Sequence, residues 1–189
     1  IRNMDFKDSQ GDAVVIDHLI RMGADIQKDE TSGDLIIHGG KQLHGISMDL
    51  KNTPDALPIL CVAGCMADGT TVGLRLFENG LVMYDGLADR VLVDARGEAF
   101  DRVSVMTEAL SLMGADISAT ENTITIHGGK KLRGCVQDSH GDHRIAMALT
   151  VAGMSAEGCT EITGAECASV TFPNFYPKMQ SCGVKIELD

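Results

Sequence analysis

Between residues 138 and 147 the chain reads Asp-Ser-His-Gly-Asp-His-Arg-Ile-Ala-Met, a polar cluster that runs directly into an apolar stretch ending at Met154. Such an abrupt change into helical periodicity marks a helix N-terminus. Unpaired backbone N–H groups and the positive end of the helix dipole attract anions there. Arg144 stands just inside that start, where its planar guanidinium can fork onto a carboxylate or a phosphate. Asp142 and His143 precede it. A plainer reading uses the same residues: Asp142 or Ser139 caps the helix, and Arg144 is a solvated first-turn side chain. Metal ligation through His140 and His143 is the weaker alternative, and no metal is expected.

An internal repeat bears on the choice. Met22-Gly-Ala-Asp-Ile26 recurs as Met113-Gly-Ala-Asp-Ile117, and Ile37-His-Gly-Gly-Lys41 recurs as Ile126-His-Gly-Gly-Lys130. Leu43 and Gly45 return as Leu132 and Gly134, Ala63-Gly64 as Ala152-Gly153, and Gly69 as Gly158. The first copy holds two extra residues near Thr31–Gly33, which changes the offset between the copies. A repeat this long means one supersecondary unit used twice. The segment Phe175–Leu188 echoes the helix-Gly-strand opening and reads as the beginning of a third copy. The chain thus divides into a unit over 10–77, an inserted region over 72–100, a unit over 101–163, and the start of another over 164–189.

Each unit has the order α-β-β-β-α-β. The stripe Val14, Val15, Ile16, Leu19, Ile20 and Met22 predicts a helix over 13–22, stopped by Gly23. Strands are expected over 25–28, 35–38 and near 45–50. Pro54 then opens a helix over 56–67 that is apolar on nearly every side and so should be buried. The second unit predicts helices over 103–113 and 144–156, with strands over 116–118, 123–127, 134–138 and 160–163. Helices alternating with strands argue an α/β (α+β) fold, with helices packed inside and sheets outside. The small residues of both apolar helices allow them to approach closely. In the inserted region, Asn79-Gly80 between two β-prone runs predicts a surface hairpin.

With 16 Lys and Arg against 27 Asp and Glu, the formal net charge is −11. No basic stripe is present to neutralise phosphates, which argues against nucleic acid. Two tyrosines, five phenylalanines and no tryptophan offer no base-stacking platform. There is no apolar run of about 18 residues, so no membrane span is expected. The six cysteines contain no C-x-x-C pair and read as small hydrophobes in a reducing, cytoplasmic setting. The start at Ile1 reads as that of a processed or excised piece.

An acidic protein that binds anions must gather its positive charge locally, and the repeat indicates where. Asp55 of the first unit occupies the position of Arg144 in the second, each at the start of its apolar helix. If both starts lie at one end of the domain, a carboxylate stands beside an anion clamp, in reach for acid–base chemistry. The alternative is that Asp55 only caps its helix behind Pro54.

At these residues the chain resembles 5-enolpyruvylshikimate-3-phosphate synthases. The similarity lies in Gly141-Asp-His-Arg-Ile-Ala-Met147, Gly164-Ala-Glu-Cys167 and Thr171-Phe-Pro-Asn-Phe-Tyr176. Gln10-Gly-Asp12, Met22-Gly-Ala24 and Asn52-Thr-Pro-Asp-Ala56 match in the same order. The resemblance implies transfer of the enolpyruvyl group of phosphoenolpyruvate to the 5-hydroxyl of shikimate 3-phosphate, with no cofactor. It implies a fold of two lobes, each an inside-out α/β barrel of three β-α-β-α-β-β units, facing each other across the active-site cleft. Arg144 and Arg102 are then expected to hold phosphoenolpyruvate, with Asp142 and His143 as further substrate-binding residues. Asp55 is expected to bind shikimate hydroxyls and move a proton.

Two departures accompany the resemblance. The family pattern Arg-x-Lys-Glu-Ser/Thr-Asp-Arg is here Arg96-Gly-Glu-Ala-Phe-Asp-Arg102, so Glu98 and Ala99 stand at the lysine and the catalytic glutamate. Glu98 is the candidate substitute for that proton-transfer group. The second lobe and the first unit of this lobe are also missing, so the fragment alone is expected to be inactive. A non-catalytic, lobe-like anion-binding or regulatory module is the alternative. A transferase acting on UDP-N-acetylglucosamine is a further one.

Overall fold

The computed structural model describes residues 1–6, 13–51, 53–74, 92–93, 99–120 and 122–188. The first unit comprises α1 (Val14–Arg21), β1 (Asp25–Asp29), β2 (Asp34–His38), β3 (Ser47–Asp49), α2 (Leu57–Met66) and β4 (Thr70–Leu74). Two short strands, β5 (Leu92–Val93) and β6 (Ala99–Phe100), then pair antiparallel. The second unit repeats the first as α3 (Arg102–Leu112), β7 (Asp116–Ala119), β8 (Thr123–His127), β9 (Val136–Asp138), α4 (His143–Ser155) and β10 (Glu161–Thr163). A 3-10 turn over Ala165–Val170 and α5 (Phe175–Ser181) follow.

Strand registers reproduce the sequence repeat. In the first unit β3 runs parallel to β4 with Ser47 opposite Val72, and in the second β9 runs parallel to β10 with Val136 opposite Glu161. The hairpins β1–β2 and β7–β8 are both antiparallel. The extra residues of the first copy lie in its hairpin turn, where the Asp29 carboxylate accepts the amides of Thr31 and Ser32. A short acceptor side chain closing its own turn is what aspartate does at such positions.

The units are joined by a shared sheet of order β3-β4-β8-β7. In it β4 pairs antiparallel with β8, from Thr70 opposite His127 to Leu74 opposite Thr123. Against this sheet lie α2 and α3, with α4 packed on α2, and their apolar side chains form the main core together with Met48, Leu50, Ile124 and Ile126. Each such large side chain withdrawn from water contributes about 1.5–3 kcal/mol. Leu57, Leu60, Cys61, Val62, Ala63 and Cys65 of α2 are all buried, as the run of apolar residues demands. In α4 the buried set is Ile145, Ala146, Ala148, Leu149, Thr150 and Ala152. By contrast α1 is a surface helix, with only His18 fully buried.

The repeated glycines mark where backbones touch. A Cβ at Gly45 would lie 2.2 Å from the Thr70 carbonyl oxygen, and one at Gly134 would lie 2.2 Å from that of Cys159. Nothing larger than hydrogen fits at either place.

Two expectations need correction, and a third lies outside the described residues. Val72–Leu74 belong to β4, where they are held by both β3 and β8, so the insertion begins after them. The expected Asn79-Gly80 hairpin lies outside the described residues. The third-copy strand is not formed: Val184–Leu188 follow α5 and Gly183 without strand pairing. Their counterparts in β7 are held by β8, and no such neighbour is paired with 184–188 among the described residues.

Candidate functional site

Three helix starts converge. Asp55 sits in a one-turn 3-10 segment, Pro54–Ala56, immediately before α2. Arg102 opens α3 behind Asp101, whose carboxylate accepts the Ser104 amide as an N-cap. Asp142 is the N-cap of α4, with His143 and Arg144 as its first residues. Because α2 packs against both α3 and α4, the side chains at these starts meet.

They meet as a chain of opposite charges. Arg102 donates through Nε to Asp142 Oδ2 at 2.9 Å, and its Nη2 lies 2.8 Å from the same oxygen. The remaining Nη1 of Arg102 donates to Asp55 Oδ1 at 2.9 Å. The other oxygen of Asp55 accepts from Arg144 Nη2 at 2.6 Å. Arg144 Nη1 in turn lies 2.9 Å from His143 Nε2. A guanidinium has no acceptor, so Nε2 is the unprotonated nitrogen of this ring. Burial first, and then the charge of Arg144, pushes the His143 pKa below the ordinary histidine value.

The two carboxylates differ in their environment. The Asp142 side chain is only 6% exposed. Its Oδ1 accepts the amides of Arg144 at 2.7 Å and Ile145 at 3.2 Å, and Oδ2 faces Arg102. Asp55 is 37% exposed, and its oxygens face the two guanidiniums. It does not cap α2, whose N-cap, Ala56, has no side-chain cap.

These contacts refine the expected anion site. Both readings of Asp142–Arg144 hold part of the truth: Asp142 caps the helix, while Arg144 is drawn into an ion-pair network. The free amides expected at the α4 start are occupied by the Asp142 carboxylate. Asp142 therefore faces Arg102 and the helix, not an open pocket. Asp55, Arg102, Arg144, Asp142 and His143 are brought together. Glu98 lies outside the described residues. Among the described residues no three His, Cys, Asp or Glu side chains are grouped to hold a metal ion.

The loop before α4 is held from beneath. His140 and Gly141 take positive φ angles of 53° and 70°. Such angles favour glycine, and for His140 they mark a backbone held by its surroundings. Ser139, fully buried, accepts the Gly141 amide at 3.1 Å and donates to the Gly164 carbonyl at 2.9 Å. Tyr176 donates to the Ala165 carbonyl, tying α5 to the turn that packs on α4. Sequence reasoning missed Ser139 in this role and the buried Arg102–Asp142 pair. The only signal for the first was its place within the cluster; the second joins residues 40 positions apart.

A family model for EPSP synthase (3-phosphoshikimate 1-carboxyvinyltransferase) matches residues 1–179. The chain belongs to the EPSP synthase family. It is 38% identical over 182 residues to the 3-phosphoshikimate 1-carboxyvinyltransferase of Halorubrum lacusprofundi, covering 96% of this chain and 36% of that protein. To the enzyme of the same name from Ruminiclostridium cellulolyticum it is 40% identical over 188 residues, covering 100% and 40%. Among solved structures, EPSP synthase from Acinetobacter baumannii matches with a TM-score of 0.73 at 30% identity, covering 92% of this chain and 39% of that one. The enolpyruvyl transferase NikO from Streptomyces tendae shares the fold at 16% identity, with a TM-score of 0.69. These relations bear out the α/β fold with its buried helices. The chain spans about two fifths of the length of the relatives it matches.

Proposed function

We propose that this chain forms one wall of an enolpyruvyl transfer site that acts on phosphoenolpyruvate and shikimate 3-phosphate. The observation that carries the proposal is the bridge from Arg102 through Asp55 to Arg144, at 2.9 and 2.6 Å. It puts two fixed cations and one accessible carboxylate within a few bonds of each other. Enolpyruvyl transfer passes through a cationic centre and displaces phosphate. It therefore calls for positive charge on the phosphate and carboxylate of phosphoenolpyruvate, and for a group that takes a proton from the attacking hydroxyl. Arg102 and Arg144 fill the first role and Asp55 the second. Neutral His143 holds Arg144 through Nε2, and Asp142 holds Arg102, so both act as positioning residues. We place the chain in the cytoplasm, and read it as part of a lobe built from repeated units.

Two walls are needed to orient both substrates and exclude water, so the isolated chain is expected to release no phosphate from the substrate pair. Calorimetric titration with phosphoenolpyruvate is expected to show weak binding that disappears in Arg144→Ala and in Arg102→Ala. Unchanged affinity in both variants overturns the assignment. The replacement of the family's lysine and glutamate by Glu98 and Ala99 favours a second reading, a lobe that binds the anion without catalysis. Turnover after the missing lobe is supplied separates the two.

A further inference from the structure

Each guanidinium is held by two partners, one of its own and one that it shares with the other guanidinium. Arg102 commits Nε and Nη2 to buried Asp142 and presents Nη1 to Asp55. Arg144 commits Nη1 to His143 and presents Nη2 to Asp55. Buried Asp142 and half-buried His143 set where the guanidiniums sit. Asp55 is common to both.

From this pattern we infer that the Asp55 carboxylate is a displaceable internal occupant of the anion site. In the ligand-free chain it spans Arg102 Nη1 and Arg144 Nη2, one oxygen to each. A phosphate or carboxylate group has the same pair of oxygens to offer and takes the same two donors. The inference rests on the reading of these arginines as the anion clamp, and adds a self-blocking contact to it.

The difference between the two aspartates supports this assignment. Asp142 has its oxygens divided between two helix amides and a guanidinium, at 6% exposure, and removing it would strip a mostly buried cation of its sheltered partner. Asp55 is 37% exposed and makes no cap; its pair with Arg144 is open to water on both sides, while Arg102 is 11% exposed. An ion pair as open to water as Asp55–Arg144 is weak and exchanges readily. The four charged groups also sum to zero, so the clamp offers no net positive charge to an incoming anion while Asp55 lies between the arginines. Once displaced, the carboxylate stands next to the bound anion with its oxygens unpaired. It is then ready to accept a hydroxyl from a second ligand.

An internal competitor lowers the apparent affinity by the fraction of molecules in which the site is open. Isothermal titration of the 189-residue chain with inorganic phosphate, and separately with phosphoenolpyruvate, is therefore expected to give about tenfold tighter binding for Asp55→Asn than for the unaltered chain. Asp55→Glu should restore weak binding, and Arg144→Ala placed on Asp55→Asn should abolish the gain. Should Asp55→Asn fold poorly, Asp55→Ser is titrated instead, with the phosphate-dependent rise in Tm as a second readout. Equal or weaker binding by the Asp55 variants overturns the inference and leaves the clamp standing. If neither the unaltered chain nor the variants bind either anion, the clamp itself is refuted, and the inference with it.

Discussion

The starts of α2 and α4 occupy equivalent places in the two units, yet Thr53, Pro54 and Asp55 stand in the first where Asp142, His143 and Arg144 stand in the second. In the second unit the capping carboxylate of Asp142 satisfies two amides, and α4 begins at once. In the first, Thr53 is buried with its hydroxyl unpartnered among the described residues, and a 3-10 turn intervenes before α2. The scaffold beneath is the same: parallel strand pair, close glycine, apolar helix. What the repeat varies is the chemistry at the helix start, and it varies it in opposite senses. One start supplies an anion and the other a cation. Because the helices pack side by side, the two supply each other's counter-charge.

Breaking the equivalence at its capping position should have the largest effect. Asp142→Ala removes the acceptor of two helix amides and leaves mostly buried Arg102 with Asp55 as its remaining partner, at an expected cost of about 3 kcal/mol. Thr53→Val, at the equivalent position, removes a buried hydroxyl without a partner among the described residues and should be neutral or stabilising by up to about 1 kcal/mol. Urea denaturation of both variants checks this, and equal costs would dissolve the contrast.

The glycines test the shared part of the design. Gly134→Ala drives a methyl into the Cys159 carbonyl, and Gly45→Ala does the same against Thr70, so both should lose about 3 kcal/mol. Gly153→Ala meets the Thr160 side chain, with Cβ at 3.0 Å, and should cost nearer 1 kcal/mol because that contact is far looser than a carbonyl at 2.2 Å. Thermal unfolding of the three proteins ranks them.

A smaller effect should appear with pH. His18 in the first unit and His143 in the second both have pKa values below the ordinary one. Burial is the main cause at each, with Arg21 and Arg144 respectively next. A folded-state pKa below the unfolded value of about 6.5 means that the unfolded chain binds more protons between the two. Their contribution is complete above about pH 6.5 and declines as pH falls through the window down to the lowered values. Stability measured from pH 7.5 to 5 should therefore fall, and less steeply in His18→Gln. A flat profile would remove both histidines from the account.

The last test concerns depth. Cys65 of α2 is buried, with its thiol pushed up to about 12 by burial, whereas its counterpart in α4, Met154, is 48% exposed. Alkylation at pH 8 should label Cys159 and Cys182 readily, and reach Cys61 and Cys65 only on unfolding.

Much of this was legible before the structure. The repeat placed Asp55 opposite Arg144 because equal offsets within a duplicated unit imply equal places in space, and the two residues do meet. The buried helices were legible because α2 is apolar all round. Periodicity also ended both hairpins within a residue or two of their observed bounds. What stayed hidden was contact between groups with no shared offset. Arg102 finds Asp142 because α3 and α4 both pack on α2, and no local pattern encodes that. The occupation of the α4 amides by Asp142 was one of two open readings, since an N-cap and an anion site use the same donors. The strand expected at Val184–Leu188 failed for a related reason: a strand is defined by its neighbour as much as by its residues.

The sheet that joins the units has a consequence for how such a chain can be recombined. Its ladder passes from β4 of the first unit to β8 of the second, so the hydrogen-bonded module straddles the boundary that the duplication suggests. Exchanging one sequence repeat for another would leave β4 with an open edge, or bring in a hairpin cut for a different strand. The transferable block is the one from β3 to β8, which holds half of each repeat.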